Sequence, residues 1–230
     1  VEDMFITDGN SSDGGLSIYV PAGTANNTKY TFPVGIGFAD DAANNPNGAV
    51  YMQARVNMKN VVDDGYITIN PVQHELQTTN LSGGSSILSS YWRVRHEGFS
   101  TLPTVSYEFK YDQSDVQGTE ANYRPGKVLD VSPFTRSLDG TTSDVSVTYN
   151  VLVFNGSTNN ANFPGSGFTL ESANYTAGET NRFSGTPEVY YTKRYTTANY
   201  SIDWNSTTYW TRATTDIDGN GTVDADEVHD

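Results

Sequence analysis

The strongest chemical motif in the chain is the twelve-residue stretch from Asp216 to Glu227. Oxygen-bearing residues occupy every ligand place of the calcium-loop pattern, and Gly221 stands where the loop must turn sharply. Thr222 would offer its backbone carbonyl, and Glu227 would close the shell with both carboxylate oxygens. Five carboxylates lie in this stretch without a Lys or Arg among them, so they repel one another unless a cation is bound. The sequence therefore predicts a Ca²⁺ site with the ligands Asp216, Asp218, Asn220, Thr222, Asp224 and Glu227.

The residues around this loop favour a structural calcium site over a switch. A sensor needs a helix on each side and a paired second loop, whereas Trp204 to Ala213 has the pattern of strand or coil. Extracellular calcium would saturate even a weak loop of this class, with dissociation constants of about 10⁻⁴ to 10⁻³ M. We expect a loop of the dockerin or thrombospondin-repeat style that stiffens a junction between domains.

Other oxygen-rich stretches are weaker cation candidates. They are Asp40, Asp41, Asn44 and Asn45, then Asp63 with Asp64, and then Asp112 with Asp115. Each is interpreted first as a hydrated turn and only second as a cation site. The stretch from Asp8 to Asp13 has alternating oxygens but lacks glycine at its sixth place, so we discount it.

The sequence contains no recognisable catalytic motif, and we expect no enzymatic activity. The three histidines, His74, His96 and His229, share no metal-ligand spacing, and there is no cysteine for thiol catalysis. No nucleophile elbow, phosphate loop or dinucleotide-binding glycine pattern is present. Two carboxylates on facing strands would suffice for a glycosidase, so a hydrolase stays as a third hypothesis.

Alternation of apolar and polar residues dominates the elements that must position these groups. It predicts strands at Val50 to Met58, Tyr66 to Asn70, Tyr91 to His96, Val105 to Tyr111, Val145 to Val153 and Glu188 to Tyr195. Asn-Gly and Asp-Gly pairs between the runs supply the positive φ that tight turns require. The prediction is an all-β, antiparallel sandwich of jelly-roll or Greek-key type, as one large or two tandem sandwiches, followed by the calcium loop.

A break in the strand pattern near residue 117 suggests three regions. Residues 1–116 would form a β-sandwich unit, and residues 117–200 would form a second β unit or continue the same sandwich. Residues 201–230 would form the C-terminal segment with the calcium loop. Because no signal peptide precedes Val1 and the chain stops soon after the loop, we expect a segment of a longer protein.

Composition excludes several classes of protein. Lys and Arg number 13 against 27 Asp and Glu, for a formal charge of −14, which disfavours nucleic acid and anionic lipid as partners. No run of about 18 apolar residues exists, so no membrane insertion is expected. Without cysteine, the chain has no disulfide staples or zinc-thiolate sites.

Three landmarks resemble modules of the long Bacteroidetes-type cell-surface and secreted proteins that leave the cell by the type IX secretion route. They are Thr31-Phe32-Pro33-Val34-Gly35, then Ser89 to Val94 with the YWR sequence, and Tyr190-Tyr191-Thr192 leading to Asp203 to Trp210. The terminal loop is similar to those of EF-hands and dockerins. Phe32 and Trp92 are interpreted as core anchors, with Pro33 and Gly35 setting a turn.

This resemblance implies an extracellular or cell-surface location and a non-enzymatic structural or adhesive role in a larger, filament-forming or surface protein. Its partners would be neighbouring domains or copies of itself. The alternative is a carbohydrate-binding module for surface glycans, in which exposed tyrosines would stack on sugar rings. The candidates for that role are Tyr190, Tyr191, Tyr195, Tyr200 and Tyr209.

Overall fold

The computed structural model describes residues 4–37, 49–77, 79, 86–131, 134–156 and 163–184, together with the backbone of 190–192 and 210–212. The strands in this part of the chain are β1 (Phe5–Thr7), β2 (Leu16–Val20), β3 (Thr28–Phe32), β4 (Val34–Ile36), β5 (Val50–Tyr51), β6 (Ala54–Lys59), β7 (Gly65–Val72), β8 (Ile87–Leu88), β9 (Tyr91–Glu97), β10 (Thr104–Lys110), β11 (Val116–Gln117), β12 (Arg124–Leu129), β13 (Arg136–Leu138), β14 (Val145–Ser146), β15 (Val151–Phe154), β16 (Phe168–Thr169), β17 (Ala173–Gly178), β18 (Tyr190–Thr192) and β19 (Trp210–Arg212). Short 3₁₀ helices occur at Gln113–Asp115, Glu120–Asn122, Thr142–Asp144 and Thr180–Phe183. The all-β prediction is confirmed.

The described strands form two large antiparallel sheets and two small ones. The six-stranded sheet runs β14-β15-β10-β6-β3, with β16 also on β10. The eight-stranded sheet runs β11-β8-β17-β9-β7-β2, with β12 on β17 and β13 on β12. The small sheets are β1-β4-β5, in which β1 and β4 are parallel, and the separate hairpin β18-β19.

Strands from before and after residue 117 pair with each other in both large sheets. In the eight-stranded sheet β17 pairs with β9, and in the six-stranded sheet β15 pairs with β10. Residues 1–185 form one compact unit and residues 186–230 a second. Of the two arrangements left open by the sequence, the topology within the first unit is that of one large sandwich.

Aromatic side chains from both large sheets fill the space between them. Trp92 stacks on Phe109 with ring centroids 4.9 Å apart, and Tyr107 lies 4.9 Å from Tyr175. All four are fully buried, as is Phe32. The two core anchors predicted from the landmarks, Phe32 and Trp92, are thereby confirmed. Such aromatic pairs contribute about 1 kcal/mol each beyond the area they bury.

The landmark around Pro33 lies where the chain leaves one sheet for another. Pro33 separates β3 of the six-stranded sheet from β4 of the three-stranded sheet. The sequence predicts a turn at Gly35. In the structure Gly35 lies inside β4 instead. A Cβ atom there would lie 2.6 Å from the carbonyl oxygen of Val50, so the close approach of the neighbouring strand requires glycine.

Two predicted strands are each divided in the structure. The run from Val50 to Met58 breaks at Met52 and Gln53, where the carbonyl of Met52 accepts a hydrogen bond of 3.1 Å from Trp92 Nε1. The prediction of a single strand from Val145 to Val153 was wrong. It is a hairpin of β14 and β15 whose turn includes Asn150 at φ 54°, and Tyr149 is 74% exposed.

Candidate functional site

The predicted calcium loop, residues 216–227, lies outside the described residues. The same is true of the loop with Asp40, Asp41, Asn44 and Asn45 and of the side chains of the five C-terminal tyrosines. These predictions therefore remain predictions.

The remaining weak cation candidates are engaged in hydrogen bonds. Asp63 Oδ2 accepts from the backbone N–H of Thr101 at 2.8 Å, and hydrogen bonds from Ser100 and Thr101 lower the pKa of Asp63. Asp112 Oδ1 accepts from the backbone N–H of Ser114 at 2.8 Å and caps a 3₁₀ helix. Within the described ranges, no group of three or more His, Asp or Glu side chains has an arrangement that would hold a metal.

Asp115 is a buried carboxylate with both oxygens satisfied. It is 3% exposed, Oδ1 accepts from Gln73 Nε2 at 2.7 Å and Ser89 Oγ at 3.2 Å, and Oδ2 accepts from Ser90 Oγ at 2.6 Å. These bonds fasten the segment at 112–116 to β7 and to the turn before β9. The hydrated-turn interpretation does not hold for Asp115, which is a structural group of the interior.

Two arginine side chains donate hydrogen bonds to backbone carbonyls of the stretch from Asp8 to Asp13, which the sequence analysis set aside as a cation site. Arg93 Nη1 donates to the carbonyl of Ser11 at 2.7 Å, and Arg95 Nη2 donates to the carbonyl of Asp13 at 3.2 Å. Because these carbonyls already face guanidinium groups, they are unsuited to bind a cation. The structure agrees with setting this stretch aside.

A second group of charged side chains lies between the two large sheets. It comprises Lys127, Asp139, Asp144 and Glu171, which we call the inter-sheet ionic cluster. Lys127 Nζ forms an ion pair with Glu171 and lies 4.7 Å from the centroid of the Phe168 ring. The Lys127 side chain is 13% exposed. Lysine is seldom buried to this degree unless it is paired.

The register of the eight-stranded sheet explains this burial. Lys127 on β12 is directly opposite Tyr175 on β17, so the two side chains share the face that points into the core. On the other side of β12, Lys127 is opposite Ser137 of β13. Asp139 follows two residues later, with its backbone N–H bonded to the carbonyl of Pro125 at 3.0 Å. Lys127 and Asp139 are therefore diagonal neighbours on one face, a relation with Cα atoms about 7 to 8 Å apart.

The carboxyl groups of the cluster have buried oxygens without partners among the described residues. Asp144, 1% exposed, accepts from the backbone N–H of Thr141 at 2.8 Å through Oδ2, while its Oδ1 has no partner. Asp139 Oδ2 is likewise buried and unpartnered. Burial raises the pKa of Asp139 to about 6, opposed by the positive charge of Lys127 and reinforced by Glu171 and Asp144. Below that pH, Asp139 is a neutral carboxylic acid.

Two buried phenols border the cluster. The hydroxyls of Tyr107 and Tyr175 lie near each other without meeting hydrogen-bond geometry, and neither finds a partner in the described part of the chain. Burial is the main cause that raises the pKa of both, and the charges of Glu171 and Asp139 add to it. The cluster thus combines an amine, three carboxyl groups and a wall of aromatic rings.

Sequence reasoning missed this cluster. In the sequence Asp139 is recognisable only as half of an Asp-Gly pair, and residues 116–187 contain no chemical motif. The one available signal was Lys127, a charged residue between Gly126 and Val128 in β12 (Arg124–Leu129). The juxtaposition itself depends on the pairing of β12 with β13 and β17, which no local pattern reveals.

No protein-family model, curated protein or solved structure matches this chain. Among the described residues, no helix has the length and apolar character needed to cross a bilayer.

Proposed function

We propose that this chain is a non-enzymatic structural or adhesive module of a larger extracellular surface or filament-forming protein, rigidified by Ca²⁺. The observation that carries this proposal is the complete calcium-ligand pattern from Asp216 to Glu227. The sandwich suits such a role, because side-chain hydrogen bonds of Asp115, Arg93 and Arg95 tie loops to the sheets.

The proposed ligands act by ordinary hard-oxygen coordination. Asp216, Asp218 and Asn220 would supply side-chain oxygens and Thr222 its carbonyl, with Asp224 binding directly or through water and Glu227 through both oxygens. Binding would offset two of the negative charges that otherwise repel one another. The neighbouring chain would then be held in one conformation, which suits a junction between domains.

Calorimetric titration of the full chain with Ca²⁺ tests this proposal. The expected result is one saturable binding event with a dissociation constant at or below about 10⁻³ M, abolished by the double substitution D216A/D218A. The matched control is E97Q, which removes a carboxylate from an exposed position of the sandwich outside every candidate cation site and should leave binding unchanged. The absence of binding heat up to several times that concentration would overturn the proposal.

A second candidate function, carbohydrate binding, is favoured by an exposed pair of tyrosines. Tyr19 on β2 and Tyr66 on β7 are directly opposite each other, 48% and 43% exposed, with ring centroids 5.3 Å apart. Exposed aromatic rings of this kind can stack on sugar faces. A glycan array probed with the wild-type chain and with Y19A/Y66A tests the idea. Hits lost in the variant would support it, and an array without hits would exclude it for the glycans displayed.

A further inference from the structure

The inter-sheet ionic cluster holds the three groups that an uncatalysed amide bond between side chains requires. They are an amine, a carboxylic acid, and a second carboxylate able to carry protons between them. Lys127 Nζ supplies the amine, Asp139 the acid, and Glu171, in contact with Lys127, the carboxylate. We propose that Lys127 and Asp139 join in an intramolecular isopeptide bond, with Glu171 as the proton carrier.

The register brings the two reacting side chains onto one face of neighbouring strands. Because Lys127 and Asp139 are diagonal neighbours across β12 and β13, the long lysine side chain can cross to the aspartate carboxyl. Holding both groups on a rigid sheet replaces a bimolecular encounter by an intramolecular one, with effective molarities that reach about 10⁵ M in well-oriented cases. Geometry of this kind is the main requirement for an amide to form without activation.

The surroundings favour the same reaction. Phe168, Tyr107 and Tyr175 border the cluster on the core side, and Tyr107 is fully buried with its hydroxyl unpartnered among the described residues. The charges of Glu171 and Asp139 help to raise the pKa of Tyr107. Burial raises the pKa of the Asp139 carboxyl to about 6, so a larger share of it is neutral near neutral pH than for an ordinary aspartate. The neutral acid is the form that an amine attacks, because a carboxylate repels nucleophiles and has no leaving group.

The atoms and charges of the step balance. Lys127 Nζ gives a proton to the Glu171 carboxylate and the resulting neutral amine adds to Cγ of Asp139. The bond between Cγ and the hydroxyl oxygen then breaks, and that oxygen leaves as water. Of the two protons lost by Lys127 Nζ, one leaves with the water and the other passes through Glu171 to solvent. No oxidant, reductant or cofactor takes part.

This inference is independent of the calcium proposal. It concerns residues of the sandwich, whereas the proposed metal ligands lie in the sequence at residues 216–227. A cross-link within the sandwich would nevertheless suit an extracellular structural module that has no cysteine.

Intact-mass spectrometry of the denatured full chain tests the proposal. The wild type should be lighter than its sequence by one water molecule, while K127R, D139A and E171Q should have their full sequence masses. D139N should be lighter by one ammonia molecule, because the amide nitrogen then leaves in place of the hydroxyl. K59R is the matched control, since Lys59 lies in the other sheet and bonds to the carbonyl of Gly165. It should keep the loss of water.

Peptide mapping identifies the linked residues. Trypsin does not cut at a modified lysine, so the linked product should join residues 111–136 to residues 137–182. A second digestion at Tyr149 and Phe154 separates Asp139 from Glu171. A wild-type mass equal to that of the sequence would overturn the proposal. A link at Glu171, or a full link in E171Q, would overturn the roles given to these two residues.

Discussion

Two buried acidic regions of the same sandwich differ in how well their carboxylate oxygens are hydrogen-bonded. At Asp115 both carboxylate oxygens accept short hydrogen bonds from neighbouring side chains. In the inter-sheet ionic cluster, Asp139 and Asp144 each keep a buried oxygen without a partner among the described residues, and so do two phenols. Because an unsatisfied buried polar group costs about 1 to 3 kcal/mol, the first arrangement serves stability. The second is tolerated at a cost, which suggests that its groups are kept for their chemistry.

The largest effect should follow from removing Asp115. D115A leaves the buried donor of Ser90 and the partly exposed donors of Gln73 and Ser89 without their acceptor, so we expect a loss of about 4 kcal/mol in the free energy of unfolding. Urea denaturation measures it. D115N retains one acceptor oxygen and should lose less. A decrease of less than about 1 kcal/mol in the free energy of unfolding would show that the hydrogen bonds of Asp115 contribute little to stability.

Loss of the proposed cross-link should come next in size. A bond between Lys127 and Asp139 closes a loop of roughly a dozen residues, which by chain entropy stabilises the fold by about 3 kcal/mol. K127R keeps the positive charge beside Glu171 but cannot form the bond, so its free energy of unfolding should fall by about that amount. The K59R variant should have the same free energy of unfolding as the wild type. Equal stability of K127R and the wild type would contradict the cross-link.

Much of the fold could be predicted from the sequence, because alternation reports which face of a strand is buried. It placed β9 and β10 correctly, and Met52, Ala54, Val56 and Met58 are all buried as their even spacing implied. Alternation cannot report a reversal of the chain, and so the run from Val145 to Val153 looked like one strand. In that run Val147 and Tyr149 belong to the turn and are exposed.

The candidate site could be predicted much less well. The ligands of a calcium loop follow one another in sequence, so the loop is readable without a structure, although its residues lie outside those described. The ionic cluster joins β12, the end of β13 and the segment before β17. Its partners are 12 and 44 residues apart from Lys127, at Asp139 and Glu171. Only the strand register brings them together.

A smaller effect should appear in the pH dependence of stability. In K127R, Asp139 stays a free acid whose pKa is raised by burial from its ordinary value of 3.8 to about 6. Between these values the folded chain holds a proton that the unfolded chain has released, so stability should fall as pH rises from about 4 to about 6, by about 2 kcal/mol at most.

The double variant K127R/D139N isolates this titration, because it lacks the acid and should show no such fall relative to K127R. Urea denaturation of both variants at about pH 4, 5, 6 and 7 measures the difference between their free energies of unfolding. The linked wild type should behave like the double variant, since an amide does not titrate. A rise in the stability of K127R relative to the double variant over this range would contradict the burial of Asp139.

The smallest effects should distinguish the two regions by single hydroxyl groups. S90A removes a donor to Asp115 and should destabilise the fold by about 1.5 kcal/mol, whereas Y107F removes an unpartnered hydroxyl and should be neutral or slightly stabilising. Thermal unfolding of the two variants side by side measures the difference. Equal losses of stability in S90A and Y107F would show that the two regions do not differ in the contribution of their hydroxyl groups.

The most direct test of the contrast is the intact mass of the wild-type chain, recorded in denaturant so that only covalent bonds contribute. A mass lower than the sequence mass by one water molecule, with K127R at its full mass, is the predicted result. A wild-type chain at its full sequence mass would show that the inter-sheet ionic cluster is an ion pair and nothing more.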